Sequence, residues 1–472
     1  MSDSEQAVGA LDVFVTNLNA TIEWLVGYVW STPTILTLLG VGALYTIGLG
    51  FIQIRGAKHA IKILRGKYST PEAEGQISHF EALTTALSST VGLGNIAGVA
   101  VAISYGGPGA TFWMLLAGML GMATKYAEAT LALKYRIIDE TGVARGGPMY
   151  YITNGLGPKW KPMAIFFAVA TAIGTFGGPN MFQSNQVASI LNESFSINIH
   201  LTGIVLAVMT GAVILGGIQR IGKVTSKLVP FMVVIYLGGA FLVILLNLKE
   251  IPGVLLMVLD HAFNGTAAVG AFQGVVVKEV IIAGMRRAVF SNEAGMGTSA
   301  MAHSAAATKE PIREGTVALL EPFVDTMICF CSTAMVILIS GVWKEGGNGV
   351  VLTAKAFDAA VPIPGFGQYL VPLVVLLFGY STLLSWSYYG EVALNYLIGN
   401  KSIFYYRVLF CICIYIGAIW SLDPIIAFSD LLFGLMVIPN LIALLLLFKE
   451  VKRDTISYYD RLAAGEFEKV KS

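Results

Sequence analysis

The stretch Ser88-Ser89-Thr90-Val91-Gly92-Leu93-Gly94-Asn95-Ile96-Ala97-Gly98 sets three glycines and four polar side chains inside an otherwise apolar run. Backbone released from helical hydrogen bonding in an apolar medium must find other partners, so such a break persists where it lines a cavity or binds something. Freed N–H groups at the start of the following half-helix can hold a carboxylate, and freed carbonyls with the Thr90 and Asn95 oxygens can surround a cation. Thr90, Gly92, Gly94 and Asn95 are therefore the first candidate binding residues. Close helix packing through Gly94-xxx-Gly98 would explain the glycines as well, but not Asn95. The string also fits Gly-x-Gly-x-x-Ala; with no strand before it and no βαβ unit around it, dinucleotide binding is rejected.

A second break is expected at Val269-Gly270-Ala271-Phe272-Gln273-Gly274, flanked by Asp260 and Asn264 on one side and Lys278-Glu279 on the other. Gln273 can donate and accept, Phe272 can wall an apolar pocket from water, and Gly270 and Gly274 free the backbone; packing alone would also use those glycines. A third cluster, Tyr380 to Trp386, puts Ser381 and Ser385 on one helical face with Thr382 beside them. These hydroxyls either complete an oxygen shell around a cation or bond back to their own helix. Thr175-Phe176-Gly177-Gly178-Pro179-Asn180 reads equally as a lid or hinge and as a plain helix end. Phe176, Phe272 and Trp386 together would crowd a small cavity and exclude long side chains.

The elements that must position these residues are set by hydropathy. The 472 residues are 56% hydrophobic and 12% charged, with mean hydropathy +0.72, whereas soluble domains are about a quarter charged. Apolar runs of about 20 residues recur, each long enough to cross roughly 30 Å of hydrocarbon as a helix. Reading them against their charged and Gly/Pro interruptions gives about eleven spans, near 33–54, 79–104, 108–134, 162–180, 200–218, 226–248, 253–285, 314–343, 367–396, 403–420 and 424–448. The residues from Leu11 to Trp30, broken by Glu23 and other polar groups, read as an interfacial helix. Met1 to Val8 carries Asp3 and Glu5 and no basic residue, unlike a cleavable signal peptide, and is expected to stay on the mature chain.

Lys and Arg enrich cytoplasmic loops. With the amino terminus outside and the carboxyl terminus inside, every basic residue except Lys249, Lys344, Lys355 and the mid-span Lys125 falls on the inner side. One leading helix plus ten spans also accommodates two five-helix halves, the second inverted. Each half opens with a glycine-interrupted segment, 83–107 and 263–284, which points to a site between broken helices near the bilayer midplane. The expected organisation is an interfacial segment over 1–30, an extra transmembrane helix over 31–54, repeats over 55–250 and 251–448, and a cytoplasmic tail over 449–472.

Glu81, Lys125, Glu128, Asp325, Glu391 and Asp430 lie within spans, mostly near their ends, and are functional suspects by default. None falls in the two expected breaks, and His79, His261 and His303 sit near span edges, which favours a cation held by neutral oxygens over a proton relay. Cys329, Cys331, Cys411 and Cys413 form Cys-x-Cys pairs too close for an ordinary disulfide and read as small core residues. A channel should show a repeated filter or rings of charge. An enzyme should show a metal motif, nucleophile elbow or cofactor fingerprint, and a pump a phosphate-binding loop. None of these is visible, so the chain is expected to be a transporter without catalytic residues or cofactor, with no nucleic-acid partner.

The strings VGLGNIAGVAVAISYGGPGATFW (Val91 to Trp113), GMATKYAEATLALKYR (Gly121 to Arg136), Gly146 to Tyr151 and FSNEAGMGTS (Phe290 to Ser299) resemble the alanine or glycine:cation symporter family from about residue 50 onward. That family is similar in fold to the LeuT-like transporters of the amino acid, polyamine and organocation superfamily. The resemblance implies an all-α polytopic membrane protein, a five-plus-five inverted repeat with one additional amino-terminal transmembrane helix. It also implies Na+-coupled uptake of a small neutral amino acid, alanine or glycine, across the cell membrane. By the same resemblance Thr90 and Asn95 would help hold one Na+ beside the substrate. Ser88 and Val91 carbonyls would hold another with hydroxyls of the ninth span, for which Ser381, Thr382 and Ser385 are the candidates.

Overall fold

The computed structural model describes residues 19–68, 74–140, 142–267, 274–347 and 349–467. Among them the only paired strands are Ile137–Ile138 and Ala144–Arg145; the rest of the regular structure is helical. Two helices open the chain, α1 (Asn19–Val29) and α2 (Thr32–Gly48), bent by 44° at their junction. Then follow α3 (His79–Thr90), α4 (Ala97–Gly106), α5 (Ala110–Lys134), α6 (Lys161–Gly174), α7 (Gln183–Phe195), α8 (Ile199–Ile214) and α9 (Gly217–Leu246). The second half contains α10 (Ile251–Asn264), α11 (Val277–Asn292), α12 (Ala300–Ser304), α13 (Pro311–Ala318), α14 (Cys331–Ser340), α15 (Gly349–Ala360), α16 (Phe366–Ile398), α17 (Ile403–Ile419) and α18 (Leu422–Ala464).

Six described helical stretches are long and apolar enough to cross a membrane, seven if the bent α1–α2 pair is one span. The α3–α4 and α11–α12 segments are interrupted in the middle, so neither offers one continuous helix. Two wider turns also interrupt the ladder: a π-helix at Gly177–Phe182 joins α6 to α7, and another at Phe323–Phe330 leads into α14. Such i→i+5 segments are rare and gather at functional sites.

The span expected over 253–285 is two separate elements. α10 stops at Gly265, whose φ of +76° only glycine adopts without strain, and lies against α5, with the Trp113 indole N–H donating to the Ala262 carbonyl at 3.0 Å. The chain re-enters as α11. Lys278, Arg286 and Arg287, expected in a basic-side loop, therefore belong to α11 at the end of the bundle opposite His79 and His303. The last helix continues past its expected span: α18 runs 43 residues, through 449–464, and at 1.5 Å per residue its roughly 64 Å is twice a bilayer core. At the other terminus, residues 1–18 lie outside the described part. The helix after them leaves Trp24 and Tyr28 exposed and meets the bundle at its end, where the Trp30 indole donates to the Asp430 carbonyl at 2.8 Å.

The end of α18 is anchored on the short helix Ala57–Leu64. His59 Nε2 and the Tyr458 hydroxyl share a hydrogen bond of 2.8 Å, with Tyr68 on another side of the ring. Burial, helped by Arg313 and Lys62, pushes the His59 pKa down to about 4. Below an unfolded value near 6.5 the unfolded chain takes up a proton that the folded chain refuses, so this site removes stability as pH falls from about 6.5 to 4. The melting temperature in detergent should drop across that window, and His59→Asn should flatten the drop. An equally steep drop in the variant would exclude His59 as its source.

Candidate substrate and cation site

α3 starts firmly. The Ser78 hydroxyl accepts from the Glu81 N–H while Glu81 accepts from the Ser78 N–H at 2.8 Å, a reciprocal capping box. It ends at Val91, whose N–H still reaches the Leu87 carbonyl at 2.7 Å. Beyond, Gly92 and Gly94 are required by two different neighbours. A Cβ on Gly92 would sit 2.4 Å from Thr382 Oγ1, and one on Gly94 would sit 3.0 Å from Ser291 Cα. Gly98 has nothing within 4 Å of the equivalent point, so helix packing through a Gly94–Gly98 pair does not account for it.

The second break lies at 293–299. Glu293 adopts φ +57°, Gly295 +89° and Gly297 +80°, and the freed groups are met by side chains. The Gly295 N–H donates to Glu128 Oε1 at 2.9 Å, and Asn440 Nδ2 donates to the Gly295 carbonyl at 2.8 Å. Residues 269–273, including Gly270, Phe272 and Gln273, lie outside the described residues. Gly274 sits beside the Thr266–Val275 bridge on the loop before α11, well ahead of the unwound stretch. Glycine density drew the expectation there, whereas the glycines that unwind a helix are Gly295 and Gly297. The break also carries an acid, Glu293, buried and accepting from the Trp386 indole at 2.9 Å, where none was expected.

Between the first break and the end of α11 lies a small cavity of ≈ 10 Å³, about one water's worth. Ser89, Thr90, Gly92 and Gly94 line one side, Gly178, Pro179 and Gln183 another, and Phe290, Thr382, Trp386 and Phe433 close it. Trp386 stacks on Phe433 at 5.5 Å and Phe290 tilts against the same ring at 5.2 Å. Gln183 is held in place by donating to the Gly178 carbonyl at 3.1 Å. Phe176 is not part of this wall: it packs against Tyr406 and Phe410 of α17. The π-turn that begins one residue later turns Gly178 and Pro179, rather than Phe176, toward the cavity.

Two clusters of buried oxygens flank the cavity. In the first, Thr382 Oγ1 and Ser381 Oγ reach the Ser88 carbonyl at 3.1 and 3.3 Å, Ser385 Oγ reaches the Thr85 carbonyl at 2.7 Å, and the Ser88 and Ser385 hydroxyls bond each other. Ser381 and Thr382 also bond back to the Phe378 carbonyl at 2.9 and 3.0 Å, so both uses of these hydroxyls occur together. No charged side chain is among these atoms. In the second cluster, Asn95 Nδ2 donates to the Thr90 carbonyl at 3.0 Å and to Asp325 Oδ1 at 2.7 Å, and Ser291 Oγ donates to the same carboxylate at 3.1 Å. Asn95 Oδ1 is buried without a partner, an acceptor with nothing yet to accept from. Asp325 is fully buried in the second π-helix and joins Asn95 of the first break to Ser291 at the end of α11. Sequence position made it one acid among several near span ends; only the fold reveals it as central.

Either cluster has the donor set of a hard cation, neutral oxygens in the first and oxygens plus one carboxylate in the second. The sequence candidates Ser88, Thr90, Gly92, Gly94, Asn95, Ser381, Thr382, Ser385 and Trp386 are thus brought into one neighbourhood, with Val91 buried at the end of α3. Thr85, Gln183, Phe290, Ser291 and Phe433 join them unannounced, as does Asp325 from among the ionisable suspects. The remaining ionisable suspects are structural partners: Glu391 pairs with Arg407, Asp430 with Arg286 and Arg287, and Lys125 with Glu321.

A bundle of apolar helices, two of them broken around a shared pocket with oxygen clusters beside it, defines a multi-pass membrane transporter. Comparison with known proteins gives the lineage. The sodium:alanine symporter family model matches residues 15–472, and the chain belongs to that family. It is 43% identical to the sodium/alanine symporter AgcS of Methanococcus maripaludis over 91% of this chain and 95% of that one. It is 35% identical to the probable sodium/glutamine symporter GlnT of Bacillus subtilis over 94% and 92%. The solved structure of MhsT in complex with L-phenylalanine covers 80% of this chain and 99% of its own, with TM-score 0.52 at 14% identity. The Eremococcus coleocola manganese transporter covers 79% and 82%, with TM-score 0.52 at 11% identity. The fold is that of the LeuT-like transporters, and the protein is a Na+-coupled amino-acid symporter, not an enzyme.

The two glycine tests separate binding from packing. Gly92→Ala should abolish Na+-driven amino-acid uptake because its methyl group collides with Thr382, while Gly98→Ala should keep at least about half of it, since the space is open. Equal losses in both variants would show that the break tolerates no side chain for reasons unrelated to Thr382.

Proposed function

We propose that the protein carries alanine, and glycine as the smaller alternative, into the cell with Na+ by alternating access. The observation that carries this reading is the aromatic closure of Phe290, Trp386 and Phe433 over a cavity of ≈ 10 Å³ beside the first break. Any amino acid must part these walls, and a methyl side chain parts them by less than that of glutamine. In this reading the substrate carboxylate meets free N–H groups at the start of α4, and its ammonium meets carbonyls at the ends of α3 and α11. One Na+ sits among Ser88, Ser381, Thr382 and Ser385, with Thr85 and Val91 near; another sits among Thr90, Asn95, Ser291 and Asp325.

The two ends of the pocket supply gates. At one end Arg286 and Arg287 clasp Asp430, and Arg287 lies over the Phe290 ring at 4.9 Å. At the other, His303 Nδ1 meets Glu314 at 2.6 Å, His79 meets the same carboxylate, and Lys125 meets Glu321 at 3.0 Å, all buried. Breaking one end at a time exposes the site alternately. Basic residues concentrate at the His79 end, in the helix Ala57–Leu64 and in Arg136, Arg220, Lys223, Lys401 and Lys452. That supports an inner location for this end and for the carboxyl terminus, with the amino terminus outside.

Reconstituted liposomes test this directly. Labelled alanine should accumulate under an inward Na+ gradient and not under K+ or a pH gradient alone, with unlabelled glycine but not glutamine competing. Asn95→Ala should abolish accumulation. Asp325→Asn keeps the shape and removes the charge, and should raise the half-saturating Na+ concentration at least about tenfold, a loss on the order of 1.4 kcal/mol. Uptake driven equally by pH without Na+ would overturn the coupling ion, and competition by glutamine would overturn the substrate.

A further inference from the structure

On the flank of the bundle, apart from the broken helices, α8 and α17 leave between them a groove of ≈ 610 Å³, within the roughly 300–1,000 Å³ of ordinary ligand sites. Its walls are aliphatic, Ile204 and Val208 on α8 and Val408 and Ile412 on α17, and its middle is shallow-sided because Gly211 faces Cys411. At one end stands the corner where α8 turns through Gly216 into α9. Two guanidinium groups sit on the last carbonyls of α8 there: Arg220 Nη1 donates to the Ala212 carbonyl at 2.8 Å and Arg407 Nη1 to the Leu215 carbonyl at 3.3 Å. Arg407 is already neutralised, its Nε and Nη2 on Glu391 Oε2 at 3.0 and 2.6 Å.

Arg220 is not. With Lys223 and Lys227, three and seven residues on, it forms one face of α9, exposed to the surroundings. No carboxylate among the described residues pairs with any of the three. The three cations share a second hollow of ≈ 510 Å³ with Leu228 and Phe231. An apolar groove on the flank of the bundle, closed at one end by Arg407 and neighboured through the Arg220–Ala212 bond by three cations without carboxylate partners, is complementary to an amphiphile with hydrocarbon chains and an anionic head. Zwitterionic lipids satisfy the groove but carry an ammonium toward the cations; free anions satisfy the cations but leave the groove unfilled.

We propose that the α8–α17 groove and the Arg220–Lys223–Lys227 face of α9 form one binding site for an anionic phospholipid, an acyl chain in the groove and the phosphate on α9. The site borders the Arg407–Glu391 pair, and Glu391 belongs to α16, the helix that carries Ser381, Thr382, Ser385 and Trp386. A lipid seated there therefore braces α8 and α9 against that helix.

The test is binding, independent of transport and of the substrate assignment. Delipidated full-length protein would be titrated by native mass spectrometry with phosphatidylglycerol and phosphatidylcholine of identical chains. Phosphatidylglycerol should be retained about tenfold more tightly. The triple variant Arg220→Gln, Lys223→Gln, Lys227→Gln should bind both lipids alike. Gly211→Trp, which fills the groove and leaves every charge in place, should weaken both. Equal binding of the two lipids by the wild type, a preference that survives in the triple variant, or displacement of phosphatidylglycerol by glycerol phosphate alone would each overturn the proposal.

Discussion

Backbone that leaves the helical hydrogen-bond ladder inside a bilayer finds no water to replace what it lost, and each unmet group costs several kcal/mol. This protein leaves the ladder twice at depth, at 91–96 and at 293–299, and much of its interior exists to meet the consequence. Glu128 and Asn440, from helices far apart in sequence, converge on the single residue Gly295. Thr333 Oγ1 donates to the Asn95 carbonyl at 2.5 Å and Thr353 Oγ1 to the Ile96 carbonyl at 3.1 Å. Where side chains do not complete the set, acceptors remain open, Asn95 Oδ1 above all. The same shortage that makes the breaks costly makes them receptive to cations and to a zwitterion.

The buried charges follow the same rule. Glu314 and Glu321 would be prohibitive alone in this interior, yet His79, His303 and Lys125 meet them directly and Ser299 Oγ adds a bond to Glu321 at 3.0 Å. Such a network adds little net stability against an apolar alternative, but it is strongly position-specific, because parting any member leaves an uncompensated charge. It ties α12, the short helix after the second break, to α3, α5 and α13. The unwound segment therefore cannot drift, and any movement of α12 has to be concerted with those helices.

How much of this could be read from the chain differs residue by residue. The first break was legible because glycines and Asn95 interrupt an apolar run that is otherwise uniform. The hydroxyl face of α16 was legible because Ser381 and Ser385 recur at helical spacing. The unwinding at 293–299 was not legible because SNEAGMGTS reads as an ordinary polar loop, while Gly265, Gly270 and Gly274 drew attention to an apolar run that lies largely outside the described residues; the value of the string as a signature was visible. The first π-helix falls in the Gly-Gly-Pro stretch that reads as a hinge or helix end, but the second left no mark: nothing in FVDTMICF distinguishes it from a regular turn, and so Asp325 could not be placed against Asn95 and Ser291. Phe176 was assigned to the wall by composition, and a half-turn of helix register moved it to α17. Periodicity locates faces, while irregular backbone decides what those faces meet.

The most direct test of the central claim, that substrate and Na+ are held by the two breaks together, is an experimental density map of the purified protein with alanine and Na+. The alanine carboxylate is expected at the start of α4, its methyl group against Phe290 and Trp386, and ion density between the Ser88 carbonyl and Thr382. Alanine density elsewhere in the bundle, or an intact oxygen cluster that excludes the ion at saturating Na+, would contradict it.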